Sequence, residues 1–171
     1  RAAHAIQATE CFAHHRRADD RLVVVHSFSK SFLMTGWRLG WMVAPEPLVA
    51  ALGKLIEFNT SCAPVFVQRA GLAALAGADD FVPGLIGRLK HCRDTLLPQL
   101  GALPGVSVAS PEGGMYAFFR VAGQDDSLAF AKHLVADHGL GLAPGAAFGP
   151  EAEGWLRWCF ASRDTARPLA G

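Results

Sequence analysis

Lys30 lies in a segment whose residue types could do chemistry on a bound anion. Hydroxyl side chains surround this lysine along the chain, at Ser27, Ser29, Ser31 and Thr35. Arg38, eight residues later, supplies a permanent cation whose fork of N–H donors matches a phosphate. Gly36 would let the backbone approach that anion closely. A lysine amine can attack an aldehyde, so a ligand carrying both an aldehyde and a phosphate, such as pyridoxal phosphate, would suit these groups.

The segments on either side of Lys30 predict an α/β layer. Residues 22–25 form a continuous apolar run, typical of a strand buried on both faces of a mainly parallel sheet. Residues 38–44 predict a second strand, which ends at Pro45 because proline cannot donate to a ladder. Since α/β sheets place ligand groups at the carboxyl ends of their strands, Lys30 is expected at such an edge.

The remaining segments alternate between helical and extended patterns. Apolar spacing predicts helices over residues 2–17, 48–58 and 65–75, the second with Lys54 and Glu57 outward. Asp79 or Asp80 is expected to cap a long helix that runs through Leu97. Shorter elements follow, as in a small α+β domain: strands at 106–109, 115–121, 140–143 and 155–161, and a helix at 127–137. The sequence therefore predicts two domains, residues 1–77 and 78–171.

Charge and composition exclude several classes of function. Lys and Arg number 16 against 15 Asp and Glu, so a net charge of +1 gives no electrostatic case for nucleic acid or a membrane surface. No apolar run approaches the roughly 20 residues that span a bilayer. The four cysteines lack metal-ligand spacing, and no GxGxxG motif opens a helix. We expect a soluble, cytoplasmic protein without a metal, acting on small molecules.

Two motifs around Lys30 carry a direct family resemblance. The sequence SFSK at residues 27–30, followed by MTGWRLGW at residues 34–41, resembles the signature of the class I and II aminotransferases, which are fold type I pyridoxal-phosphate-dependent enzymes. The resemblance implies that Lys30 forms a Schiff base with pyridoxal 5'-phosphate and moves the substrate α-proton. It implies that Ser27 and Arg38 hold the phosphate, with Ser29 as a further candidate. It also implies amino acid and 2-oxo acid substrates and a homodimer.

Downstream motifs resemble the same family: PEGGMY at residues 111–116, PGAAFG at 144–149 and LRWCFA at 156–161. The last resemblance implies that Arg157 binds the substrate α-carboxylate, and a guanidinium can do so through two parallel hydrogen bonds. A lone arginine on an apolar strand could instead pair with a buried Asp or Glu. Tyr116 is expected in the core rather than against the substrate.

The resemblance covers residues 22–161 and makes the chain a segment of an enzyme. Residues 1–77 would be the carboxyl-terminal part of the large cofactor-binding domain. Residues 78–171 would be the small carboxyl-terminal domain, with its last helix truncated. The family's upstream phosphate loop, its asparagine near the pyridine oxygen and its aspartate paired with the ring nitrogen have no counterpart here. The segment alone is therefore expected to be a poor catalyst.

Two other interpretations remain open on the sequence. Lyases and synthases of the same fold keep the lysine and the phosphate arginine, and release of pyruvate and ammonia without an acceptor would identify one. A non-catalytic, effector-binding module of a transcription regulator is the second, and an upstream winged-helix segment would reveal it. Aspartate, aromatic and alanine-type amino donors all remain possible.

Overall fold

The computed structural model describes Arg17 and residues 21–161, and the chain divides into two compact units, residues 1–85 and 86–171. Apart from Arg17, the predicted helix at residues 2–17 lies outside the described residues. The predicted domain boundary after residue 77 coincides with the start of helix α4 (Ala78–Gly101). The assignment of residues 1–77 and 78–171 to two domains stays a prediction.

Two short strands frame the Lys30 segment in the first unit. Strand β1 (Val24–Ser27) pairs antiparallel with β2 (Gly40–Val43), with Val24 opposite Val43 and Ser27 opposite Gly40. The connection between them contains a single helical turn, α1 (Phe28–Ser31), and a 3-10 turn at Thr35–Trp37. The predicted arrangement of two strands bracketing the lysine loop is therefore confirmed.

The predicted environment of the first strand is wrong for the described residues. The partner of β1 is antiparallel, and the Val25 side chain is 73% exposed. A parallel pair needs a crossover, usually a helix that runs back along the sheet, and α1 has only four residues. An uninterrupted apolar run indicates that both faces of a strand suit burial, but it does not specify which strand lies beside it.

Two helices follow β2 and confirm the predicted pattern. Helix α2 spans Glu46–Thr60 and α3 spans Val65–Ala76, each starting directly after a proline in an extended conformation. The α3 carboxyl end is closed by the Gly77 N–H, which donates to the Ala73 carbonyl at 3.0 Å. Proline restricts the preceding chain to extended geometry and lacks a donor, so it suits the position before a helix.

The apolar face of α2 is exposed among the described residues. No side chain of this helix is buried, and its large apolar side chains with notable exposure are Leu48, Val49, Leu55, Ile56 and Phe58. Lys54 and Glu57 are exposed as predicted, but so is the opposite face. Helical periodicity identifies an apolar face, whereas the surface that covers it must come from elsewhere.

Helix α4 begins earlier than its predicted cap. Because the helix starts at Ala78, Asp79 and Asp80 lie in its first turn rather than at a capping position. Carboxylates in the first turn still interact favourably with the positive end of the helix dipole. No single described helix is long and apolar enough to cross a bilayer, and only α3 and α4 taken together across the sharp bend between them would satisfy length and composition.

The described part of the second unit contains a four-stranded antiparallel sheet, one further helix and residues 86–101 of α4. Its strands are β3 (Val106–Val108), β4 (Tyr116–Val121), β5 (Ala143–Pro144) and β6 (Trp155–Cys159), in the order β3-β4-β6-β5. Helix α5 spans Ser127–His138 and is capped by Asp126, whose carboxylate accepts from the Ala129 N–H at 2.8 Å. Of the predicted strand at 140–143, only Ala143 lies in a strand, the two-residue β5.

The core of the second unit lies on one face of this sheet. Leu100, Phe119, Ala131 and Leu156 form a buried cluster with residues of β3, α5 and β6 packed around it. Side chains alternate along a strand, so Tyr116, Phe118 and Arg157 lie on the opposite face from Ala117, Phe119 and Leu156. The sequence pattern of β4 and β6 thus separates a packed face from one that carries a charged residue.

Candidate active site

Lys30 lies exposed on a turn that is anchored by buried aromatic side chains. Phe28 is 4% exposed and Phe32 9%, and their rings contact each other at 5.2 Å between centroids. The Phe28 N–H donates to the Leu39 carbonyl at 3.1 Å, and the Met34 N–H donates to the Phe28 carbonyl at 3.3 Å. These contacts fix the backbone of the turn, while within the described residues the Lys30 amine forms no hydrogen bond or ion pair.

Helix α3 packs on the same turn through a glycine. A Cβ atom at Gly71 would collide with the Leu39 side chain at 2.5 Å and would lie 3.3 Å from the Phe28 ring. Gly71 is accordingly buried. Because Gly71 has no side chain, α3 can pack closely against Phe28 and Leu39.

Ser27 has a structural contact as well as a free hydroxyl hydrogen. Its Oγ accepts from the Ser29 N–H at 3.0 Å and so caps α1. A hydroxyl can accept and donate at once, so this bond leaves the O–H able to donate to an anion. Ser27 is exposed, whereas Ser29 is half-buried.

Arg38 lies at the same end of the β1–β2 pair as Ser27. The ladder places Ser27 opposite Gly40, two residues after Arg38. Arg38 has a positive φ of 51°, and its Nη1 donates to the Thr35 carbonyl at 2.9 Å. A guanidinium has five N–H donors, so the others remain for a phosphate.

Gly40 permits the close approach of the two strands, because a Cβ there would collide with the His26 carbonyl oxygen. A Cβ at Gly36, by contrast, would meet no atom within 4 Å among the described residues. No described atom would therefore block an anion from approaching the Gly36 backbone, the approach that the sequence predicts. A cleft of about 870 Å³ includes Gly36 and Arg38 in its wall but not Lys30, so the cleft alone does not define where a ligand of Lys30 would lie.

Arg157 lies between two aromatic rings in the second unit. Its guanidinium carbon is 4.3 Å from the Tyr116 ring centroid and 4.1 Å from that of Phe148. On β6, Arg157 is opposite Phe118 of β4 and Ala143 of β5. No carboxylate in the described part of the chain pairs with it, so the alternative of a buried Asp or Glu partner finds no support there.

Two of these contacts were not predicted from the sequence. Tyr116 was expected to belong to the core, and it contacts Arg157 instead. Phe148 was noted only as part of the PGAAFG motif, yet its ring lies over the same guanidinium. The motifs at 111–116, 144–149 and 156–161 therefore meet at one arginine. Their shared family resemblance was the available signal, because spacing along the chain does not reveal the contact.

Comparison with known proteins gives one consistent family. Residues 3–168 match the protein family described as "Aminotransferase class I and II". The aspartate aminotransferase of Musicola paradisiaca is 35% identical over 144 residues, which are 83% of this chain and 36% of that protein. The arginine–pyruvate transaminase of Pseudomonas aeruginosa is 35% identical over 81% of this chain and 35% of its own length. The chain thus spans little more than a third of the length of these relatives.

Solved structures agree with the sequence relatives. The aspartate aminotransferase from Thermotoga maritima matches with a TM-score of 0.78 at 32% identity, covering 88% of this chain and 38% of that one. A pyridoxal-phosphate-dependent aminotransferase from Streptococcus suis matches with a TM-score of 0.75 at 27% identity, covering 81% of this chain and 37% of that one. The predicted α/β fold of the fold type I enzymes is confirmed.

Proposed function

Because the chain belongs to the class I and II aminotransferase family, we propose that the protein containing it transfers an amino group between an amino acid and a 2-oxo acid. The observation that carries this proposal is the anchored turn between β1 and β2. It presents the Lys30 amine, the Ser27 hydroxyl and the Arg38 guanidinium from one short connection. The names of the relatives, all of them aminotransferases among those compared, support transfer over elimination.

These groups fit pyridoxal 5'-phosphate by their chemistry. The amine of Lys30 is exposed, and the Ser27 O–H and the remaining Arg38 N–H groups are donors suited to a phosphate dianion. When bound, this cofactor supplies an aldehyde that takes up amino groups and a conjugated ring that withdraws electrons. Ser27 and Arg38 would hold its phosphate, and Ser29 is a weaker candidate because its side chain is half-buried.

Two residues of this chain would act on the substrate. Lys30 Nζ would hold the cofactor covalently, and its amine would accept and return the proton at the substrate α-carbon. Arg157 binds the α-carboxylate through two N–H donors in the plane of its guanidinium. The carboxylate contact fixes one end of the substrate, which reduces the entropy lost in reaching the transition state.

Other properties of the whole protein belong to this proposal. We infer a homodimer in the cytoplasm, with residues 1–77 in the cofactor-binding domain and residues 78–171 in a small carboxyl-terminal domain. The net charge of +1 supports small-molecule substrates over nucleic acid or membrane surfaces. Exposed apolar side chains such as Val25, Phe58 and Phe66 suit burial against further protein.

The test is covalent capture of the cofactor by the protein that contains this chain. It would be incubated with pyridoxal phosphate, reduced with borohydride and digested, and the pyridoxyl-modified lysine identified by mass spectrometry. We expect the label on Lys30, its loss in Lys30→Ala, and its retention in Lys54→Ala, which removes an exposed lysine from α2. Label on a different lysine, or an undiminished label in Lys30→Ala, would refute the assignment.

A second assay separates the possible reactions. Transfer requires a 2-oxo acid acceptor, so product formation should stop when the acceptor is withheld after the first half-reaction. Continuous release of ammonia and a 2-oxo acid without an acceptor would identify a lyase instead. Binding of pyridoxal phosphate without turnover of any amino acid would favour an effector-binding module.

A further inference from the structure

We propose that Tyr116 and Phe148 are positioning residues that hold the Arg157 guanidinium between their rings and leave only its in-plane edge open to a substrate carboxylate. This inference rests on the proposed function, in which Arg157 binds the α-carboxylate. It adds two residues whose role is to orient that arginine.

The Arg157 guanidinium lies over both rings. The guanidinium carbon is 4.3 Å from the Tyr116 centroid and 4.1 Å from the Phe148 centroid. Tyr116 and Phe148 make no ring contact with each other, although Phe148 does contact Phe118 at 6.2 Å. Since both rings contact the guanidinium but not one another, they approach it from different directions.

The Phe148 ring also packs against a second aromatic side chain, Phe118. Phe118 meets it edge-on at an interplanar angle of 73°, and Phe118 in turn stacks on Trp155 with centroids 5.6 Å apart. Phe118 is the cross-strand neighbour of Arg157. The aromatic group on this face of the sheet is therefore continuous, and rotation of Phe148 away from Arg157 would break two contacts at once.

The backbone of the turn that carries Phe148 is also fastened. This 3-10 turn, Gly145–Phe148, starts at a buried glycine where a Cβ would collide with the Ala152 carbonyl oxygen. The Ala146 N–H donates to the Oγ of Ser127, a side chain only 1% exposed at the start of α5. Ser127 is fixed in turn, because its N–H donates to Glu153 Oε1 at 2.7 Å.

Two flanking rings determine how a ligand can reach the arginine. The ring faces are negatively polarised and attract a cation, and in the proposed arrangement they lie against the faces of the guanidinium plane. The N–H donors point outward within that plane, which is the direction from which a carboxylate binds through two parallel bonds. An arginine held in this way loses less side-chain freedom when substrate binds, so the rings should lower the KM for the amino acid.

The test is a comparison of KM and kcat in variants of the protein that contains this chain. Phe148→Leu and Tyr116→Leu each remove one ring and should raise the KM for the amino donor roughly 5- to 10-fold, with kcat changed less than about twofold. Phe148→Tyr and Tyr116→Phe keep a ring and should leave KM near the wild-type value. Phe130→Leu is the matched control, since it removes a ring of the same unit that is not in contact with Arg157.

Inhibition by a carboxylic acid without an amino group gives a second readout. Its Ki should rise in parallel with KM in the two leucine variants, because both report the same carboxylate contact. Arg157→Gln separates the two hypotheses. If it raises KM strongly while Phe148→Leu and Tyr116→Leu do not, the positioning role is refuted and the carboxylate role stands. If Arg157→Gln leaves both KM and Ki unchanged, the carboxylate role fails and the positioning role fails with it.

Discussion

Substituting Gly40 by alanine should loosen the loop that carries Lys30, and the structure gives a magnitude for the effect. The new Cβ would collide with the His26 carbonyl oxygen and would lie 3.6 Å from the Ser27 Cα. Both obstructions are backbone, so rotation of a side chain cannot relieve them. The strands must separate, which weakens the ladder at the Ser27–Gly40 position.

The expected cost is that of forcing an extra group into a packed site, about 1–3 kcal/mol. The matched control is Gly53→Ala, in the interior of α2, where a Cβ would meet nothing within 4 Å. That substitution should raise the free energy of unfolding by about 0.5–1 kcal/mol, because alanine is the better helix former. The two Gly→Ala changes are thus expected to have opposite signs.

The assay is urea unfolding followed by tryptophan fluorescence, together with a titration of each variant with pyridoxal phosphate. Trp41 neighbours Gly40 on β2 and stacks on His26 with centroids 4.7 Å apart, so its emission should report the separation of the strands. Gly40→Ala should lower both the unfolding free energy and the affinity for the cofactor. Equal stability of Gly40→Ala and wild type would refute the steric argument, as would a destabilised Gly53→Ala.

Two further predictions concern hydrogen bonds. Hydrogen bonds from the Ser127 side chain, then from the Ser127 and Gly154 N–H groups, hold the Glu153 pKa below its ordinary value of 4.5. A lowered pKa stabilises the fold fully above pH 4.5, and this stabilisation is lost as the pH falls through the folded-state pKa. The stability difference between wild type and Glu153→Gln, measured in thermal melts, should therefore shrink on acidification from about pH 6 to about pH 3. A constant difference would contradict this prediction. Ser27→Ala removes both the α1 cap and a phosphate donor, so its Kd for pyridoxal phosphate should rise about tenfold or more. Ser29→Ala should raise this Kd less than Ser27→Ala does. If equilibrium titrations gave the reverse order, Ser29 rather than Ser27 would be the main phosphate donor.

Much of the secondary structure could be predicted because it is encoded locally. Prolines and apolar periodicity predicted every end of α2 and α3 to within two residues. The pairing of β1 was predicted wrongly, because an apolar run indicates only that a strand suits burial and not which strand lies beside it. The exposure of Phe58 has the same origin, since a helix pattern carries no information on what covers it.

The candidate site divides in a similar way. Lys30, Ser27 and Arg38 are close in sequence, so one motif predicted them together, although their roles as ligands of the cofactor stay predictions. The contacts of Arg157 depend on the register of β4 with β6 and on the turn after β5, which bring Tyr116 and Phe148 to it from distant positions. Such long-range register is set by packing of the whole sheet and is not visible in any single segment.

The aromatic group around Arg157 also has a consequence for how sequence change can be tolerated. All of its members, together with the Ser127 and Glu153 anchor, lie within residues 86–171, whereas Lys30, Ser27 and Arg38 lie within residues 1–85. Substitutions in the two sets should therefore have additive effects on folding free energy. A substitution near Arg157 can then be combined with one in the lysine loop, and the effect of each on stability can be read separately.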